Sequence, residues 1–130
     1  MTTRRCLAPL AVLALLCACA QTPPPAPAGL LDVAERPAEK ALLAGIRAYD
    51  DAAYPEAEKQ FRTALGAGLA SPRDRAGAHK YLAFIACTSN RIAECEAEFV
   101  AARQADPAFA LGKSEAGHPV WGPVYKRVQR

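Results

Sequence analysis

The feature that most constrains the fold is a pattern of small and aromatic residues that occurs twice, with an offset of 38 residues. The first copy consists of Tyr54, Ala57, Phe61, Ala64 and Leu65. The second consists of Ile92, Cys95, Phe99, Ala102 and Arg103, while Gly45 recurs as Ala83 in the same frame. Spacings of three and four residues place such side chains on one face of an α-helix. The pattern therefore predicts two equivalent helical units.

Local signals predict four main helices and no strand, so we expect an all-α fold. The helices are expected to begin at Pro37, Pro55, Pro72 and Ile92. Proline is tolerated in the first turn of a helix, and Ser71 is a suitable N-cap for the third one. We expect the first, third and fourth helices to end near Asp51, Thr88 and Ala105. Asn90 suits the left-handed residue that closes the third.

This small–aromatic–small pattern resembles the tetratricopeptide repeat, a helix–turn–helix unit with a period of 34 residues. The four extra residues here fall in the polar loop Gly66–Ser71. The resemblance implies a right-handed helical solenoid over residues 30–107, with repeats at about 37–70 and 71–107. A pair of repeats leaves one apolar face open, which a neighbouring element must cover.

The segment 108–130 is expected to be that cover. Its glycines and prolines predict a bent entry, followed by a short helix over about residues 124–129. Trp121, the only tryptophan, is expected to cover the apolar face left by the fourth helix. His118 is expected to cap or orient this tail.

The N-terminus has the organisation of an export signal. Arg4 and Arg5 precede an apolar stretch, Cys6–Leu16, that is too short to span a bilayer. The small residues that follow lead to Cys19 and resemble a bacterial lipobox, in which the cysteine is acylated. Residues 1–18 are then a lipoprotein signal peptide. The alternative is an ordinary secretory peptide that leaves a soluble protein.

Acylation of Cys19 implies attachment to a membrane without a spanning helix. Ala20, and not Asp, follows the cysteine, which by resemblance to Gram-negative sorting signals favours the periplasmic face of the outer membrane. Residues 19–29 are rich in proline and uncharged, so they favour an extended linker and bury no core.

Cys87 and Cys95 are the two cysteines that remain after export and acylation. An even pair in an oxidising compartment suits a disulfide. The two residues flank the predicted turn at Arg91 almost symmetrically, so their Cα atoms can approach closely enough for a bond. The alternative is two separate buried thiols.

A more particular resemblance covers Leu42–Val128. It is carried by the stretches His79-Lys-Tyr-Leu-Ala-Phe-Ile-Ala-Cys87, Glu98-Phe99, Asp106-Pro107 and Gly117-His-Pro-Val-Trp-Gly-Pro123, with Arg91, Cys95 and Phe109. These look like the tetratricopeptide lipoproteins associated with type VI secretion systems. The resemblance implies an accessory envelope lipoprotein, not an enzyme.

Several classes of function find little support in the residues. Loss of the signal peptide lowers the formal charge from +3 to +1, which gives no reason to expect a nucleic acid partner. The cysteines and the two histidines lack zinc-ligand spacing, and no serine lies in a Gly-x-Ser-x-Gly elbow. His79 is expected to be a structural histidine within its helix. We expect no catalytic or metal site, no cofactor and no small-molecule substrate.

Binding to a protein is the function that remains. The first helix of each repeat would line a concave surface, on which Tyr49, Asp50 and Lys80 are the candidate partner-binding residues. Ile46 and Phe84 are expected to be core. We therefore expect an adaptor for secretion-apparatus or envelope proteins. A general envelope-assembly lipoprotein is the main alternative, and a periplasmic thiol–disulfide or hydrolytic enzyme is a more distant one.

Overall fold

The computed structural model describes residues 29–130, and within that range the chain forms seven α-helices and no strand. The helices are α1 Leu30–Ala34, α2 Pro37–Asp50, α3 Tyr54–Ala67, α4 Pro72–Thr88, α5 Ile92–Ala105, α6 Lys113–Ala116 and α7 Gly122–Val128. The predicted all-α class is confirmed. The predicted signal peptide, the acylated Cys19 and the linker as far as residue 28 lie outside the described residues.

The starts of α2 to α5 and the ends of α2, α4 and α5 agree with the sequence signals to within one residue, whereas α3 continues to Ala67, two residues into the loop expected over Gly66–Ser71. Proline lies in the first turn of α2, α3 and α4, and the Ser71 hydroxyl accepts a hydrogen bond from the Asp74 amide at 3.2 Å. The last helix was predicted to begin at residue 124 but begins at Gly122, because Pro123 is accepted in its first turn. The short helices α1 and α6 were not predicted.

The turns that join α2 to α3 and α4 to α5 have the same backbone geometry. Ala52 has φ 58° and Asn90 has φ 59°, and these two residues are separated by the offset of the sequence pattern. In both turns the amide of the next residue donates to the carbonyl five residues earlier, at 2.8 Å. The left-handed conformation expected at Asn90 is confirmed, and the repeat extends to the backbone of the turns.

The first helix pair consists of α2 and α3, and the second of α4 and α5. Each pair encloses a phenylalanine that is fully buried, Phe61 in the first and Phe99 in the second. Gly45 of α2 permits the approach of the Phe61 ring, since a Cβ at this position would lie 2.8 Å from two ring carbons. The pairs then join through Tyr81 of α4, whose ring stacks on Phe61 with centroids 5.0 Å apart. The two core clusters therefore meet at Tyr81, which is partly buried and packs against both.

The C-terminal segment covers the second pair with two different rings. Tyr125 of α7 packs against Phe99 of α5 at 5.2 Å, much as Tyr81 packs against Phe61. Trp121 stacks on Phe84 of α4 at 4.2 Å. Tyr125 is thus the ring that covers Phe99, and Trp121, which was expected to cover the face left by the fourth helix, packs against the same core cluster through Phe84. The segment reaches both helices of the pair.

Candidate protein-binding surface

Tyr49 and Asp50 lie at the C-terminal end of α2, next to the turn that leads into α3. The Tyr49 ring is partly buried and makes edge contacts with Tyr54 at 5.5 Å and with Tyr81 at 4.9 Å. Burial raises the pKa of the Tyr49 hydroxyl, and the neighbouring tyrosines add to that rise. Asp50 is exposed. This end of α2 therefore offers an exposed carboxylate beside an edge of aromatic rings.

Lys80 of α4 is held by the C-terminal segment. Its ammonium lies 2.7 Å from a carboxylate oxygen of Glu115 and 4.9 Å from the centroid of the Tyr81 ring. Burial acts to raise the pKa of Glu115, but hydrogen bonds from Lys80 and from the Gly112 amide outweigh it, so that the pKa is lowered. The Lys80 side chain is only 20 % exposed. The cation predicted to meet a partner is already paired within the chain.

Tyr81 is the residue that connects the predicted binding residues, and the sequence reasoning missed it. It lies between Tyr49 and Lys80 and also stacks on Phe61. Its position follows from helical spacing on α4, but its role depends on which helix packs beside it. The structure thus brings Tyr49 and Lys80 to a common ring, with Asp50 at the exposed edge.

The two predicted capping residues, His118 and Trp121, form a stack of three rings with Phe84. His118 lies over Trp121 with centroids 3.4 Å apart and planes at 3°, and Trp121 in turn covers Phe84. The indole N–H of Trp121 donates to the carbonyl of Glu115 at 2.8 Å. Phe84 is buried, as expected for a core residue. The stack fixes the 115–121 segment against α4.

An open cavity of about 450 Å³ lies between α4 and the C-terminal segment. Charged groups at its wall include Arg73, Lys80, Asp106 and Glu115, and Phe109 supplies an aromatic face. Two of the charges are the Lys80–Glu115 pair described above. The sequence did not predict this cavity, because it depends on how the C-terminal segment crosses α4.

A network of ion pairs joins α3 to α5 away from these residues. The Arg91 guanidinium donates a hydrogen bond to each carboxylate oxygen of Glu58, at 2.7 and 3.1 Å. Arg62 donates to the same carboxylate at 2.9 Å. Hydrogen bonding from Arg91 lowers the pKa of Glu58, against the opposing effect of burial. His79 reaches Glu98 at 2.6 Å, which gives the predicted structural histidine a partner. Arg62 also lies 3.6 Å from Glu98, so the two carboxylates Glu58 and Glu98 belong to one network.

Cys87 and Cys95 form a disulfide, with their Cα atoms 5.2 Å apart. Cys87 lies in the last turn of α4 and Cys95 in the first turns of α5, as the sequence predicted. Both side chains are buried. The bond therefore ties the two helices together next to the turn at Asn90.

Residues 29–130 contain no cluster of three or more histidine, cysteine or acidic side chains arranged to hold a metal ion. None of the helices in this range is long and apolar enough to cross a membrane. No protein-family model, curated protein or solved structure matches this chain.

Proposed function

We propose that this chain is a non-catalytic adaptor of the tetratricopeptide type, a right-handed solenoid of two repeats closed by its C-terminal segment. The observation that carries the proposal is the equivalence of the two turns, at Ala52 and Asn90, in φ and in hydrogen bonding. A chain built from equivalent helix pairs presents an extended surface, which favours recognition of a peptide or a helix.

The adaptor is proposed to be anchored through an acylated Cys19 at the periplasmic face of the outer membrane. Support comes from the lipobox-like sequence and from the proline-rich linker before Gly29. A disulfide between Cys87 and Cys95 suits an oxidising compartment. The stretches His79–Cys87 and Gly117–Pro123, which resemble type VI secretion lipoproteins, favour a partner from that apparatus.

The partner is proposed to contact the end of α2, where Asp50 is exposed and the rings of Tyr49 and Tyr54 form an edge. Tyrosine supplies contact area at low conformational cost, and a free carboxylate adds charge specificity. Lys80 contributes to this surface through Tyr81. Its ammonium lies over the Tyr81 ring, and Tyr49 packs against the same ring.

Anchoring is tested by comparing the full chain with a Cys19→Ala variant in fractionated envelopes. We expect the wild-type protein in the outer-membrane fraction, with an acylated N-terminal cysteine by mass spectrometry, and the variant in the soluble periplasm. Wild-type protein that is soluble and unmodified would overturn the anchor.

Partner binding is tested by affinity purification of the full chain from detergent-solubilised envelopes. The Asp50→Arg variant is compared with an Asp51→Arg control. Both aspartates are exposed and adjacent, so the second variant controls for the change in charge. We expect only Asp50→Arg to lose the secretion-apparatus protein. Recovery of general envelope-assembly proteins in its place would contradict the secretion assignment.

A further inference from the structure

The outer face of α2 is the surface that the repeat leaves without a neighbour. In the second pair, α4 packs into the core of the first pair through one face, formed by Ala78, Tyr81, Leu82 and Ile85. The equivalent positions on α2, 38 residues earlier in the chain, are Lys40, Leu43, Ala44 and Arg47. These residues mark the face where a preceding helix would pack.

Burial indicates that the described part of the chain leaves this face open. Leu43 is 39 % exposed, Lys40 and Arg47 are exposed, and Ala44 is half-buried. Within residues 29–130, neither Lys40 nor Arg47 takes part in a salt bridge. The nearby carboxylate of Glu39 is turned inward and lies 4.0 Å from Arg36. The face therefore combines an apolar centre with two unpaired cations.

A second copy of this chain is poorly suited to cover the face. Head-to-tail stacking would need the equivalent surface of α5, which is occupied by Tyr125 of α7. A symmetric contact between two α2 helices would bring the cations of one copy towards those of the other, and like charges repel across an interface. The charge pattern instead favours a partner that carries carboxylates.

We propose that the outer face of α2 binds an acidic amphipathic α-helix of a partner protein. Its apolar ridge would pack over Leu43 and Ala44, and its carboxylates would pair with Lys40 and Arg47. The cations are seven residues apart on α2. Their Cα positions are thus separated by about 10 Å along the helix, which calls for carboxylates about two turns apart. This inference rests on the proposed adaptor function and adds a second contact to it.

The test is site-specific photocrosslinking of the full chain in its native envelope. A benzophenone amino acid replaces Leu43 in one variant and Val100 in the control, because Val100 has nearly the same exposure on α5. We expect a protein adduct from position 43 and none with the same protein from position 100. The crosslinked peptide, identified by mass spectrometry, should be amphipathic and acidic.

Charge reversal then tests the recognition itself. The double variant Lys40→Glu/Arg47→Glu should lower the yield of the position-43 adduct about tenfold, since two ion pairs become two repulsions. The control variant Lys59→Glu/Lys126→Glu makes the same change of net charge at exposed positions elsewhere. It should leave the yield of the adduct unchanged. Glu→Lys changes in the crosslinked peptide should restore the adduct to the reversed variant. Circular dichroism and thermal unfolding establish that each variant folds.

An adduct with lipid, with a second copy, or with a peptide lacking carboxylates would overturn the inference, as would the absence of any adduct at position 43. If the partner is still recovered through the Asp50 surface in that case, the adaptor function stands and only this second contact falls. If no partner is recovered by either route, the adaptor function itself falls.

Discussion

The two helix pairs share one backbone turn but are held together by different means. The second pair is cross-linked by Cys87 and Cys95, whereas the equivalent positions in the first pair are Tyr49 and Ala57. Tyr49 packs instead on Tyr81 of the second pair. At these equivalent positions the first pair therefore makes a contact with its neighbour, whereas the second pair has a bond within itself. A shared turn geometry does not require shared side chains.

Removal of the disulfide should have the largest effect on this difference. On the chain-entropy model, closing so short a loop contributes about 2.5 kcal/mol to the free energy of unfolding. We expect Cys87→Ser with Cys95→Ser to lower the urea-unfolding free energy by about this amount. Hydrogen exchange should accelerate first at the turn near Asn90. Equal acceleration at the turn near Ala52 would contradict the local character of the bond.

Gly45→Ala should destabilise the first pair by about 1–3 kcal/mol, because the added methyl meets the Phe61 ring and overpacks the core. Gly66→Ala in α3 is the matched control, since nothing lies within 4 Å of a Cβ there. That change should stabilise the protein by up to about 1 kcal/mol through helix propensity. Thermal unfolding distinguishes the two. Shifts of the same sign would show that Gly45 is not a close-approach site.

The two turns should respond differently to glycine. Ala52 is held at φ 58°, a conformation that costs a residue with a Cβ about 1–2 kcal/mol. We expect Ala52→Gly to raise the free energy of unfolding by about 1 kcal/mol after the entropy of glycine is included. Asn90→Gly should change it little, because asparagine tolerates this conformation. Chemical denaturation of both variants measures the difference.

The smallest effect is expected from the ion pairs that join α3 to α5. The pKa of Glu58 is lower in the folded protein than its ordinary value of 4.5, mainly through Arg91. Its contribution to stability is therefore present above pH 4.5 and is lost as the pH falls through the lowered folded pKa.

Comparison of wild type with Glu58→Gln between pH 7 and pH 2 tests this contribution. The difference in unfolding free energy should be below about 1 kcal/mol at neutral pH and should vanish in acid. Glu56→Gln, at an exposed position on the same helix, is the control and should show a smaller difference. A difference that grows as the pH falls would reverse the assigned sign.

Local chemistry made the helices and their joints predictable. Prolines at helix starts, the Ser71 N-cap and Asn90 in the turn act within a few residues, so their effects could be inferred without the fold. The Cys87–Cys95 pairing was predictable for the same reason, since both residues flank one turn. The left-handed Ala52 was not predicted, because alanine carries no signal for that conformation.

Contacts between distant segments depended on tertiary structure. Lys80 was predicted to be a partner-binding surface residue, but within the chain its ammonium already pairs with Glu115, which lies 35 residues away in the sequence. Likewise Glu58 and Arg91 meet only because the two helix pairs pack side by side. The pairing of two charges depends on where each helix is placed in space, and spacing along one helix does not encode that.

The amino-acid sequence by itself determined the helical units, their turns and the cross-linked cysteines, because these depend on periodicity and on backbone preferences over short distances. Only the tertiary structure decided which faces were covered. It placed Tyr125 over Phe99, stacked Trp121 on Phe84 and left Leu43 exposed, since burial is a property of the assembled helices.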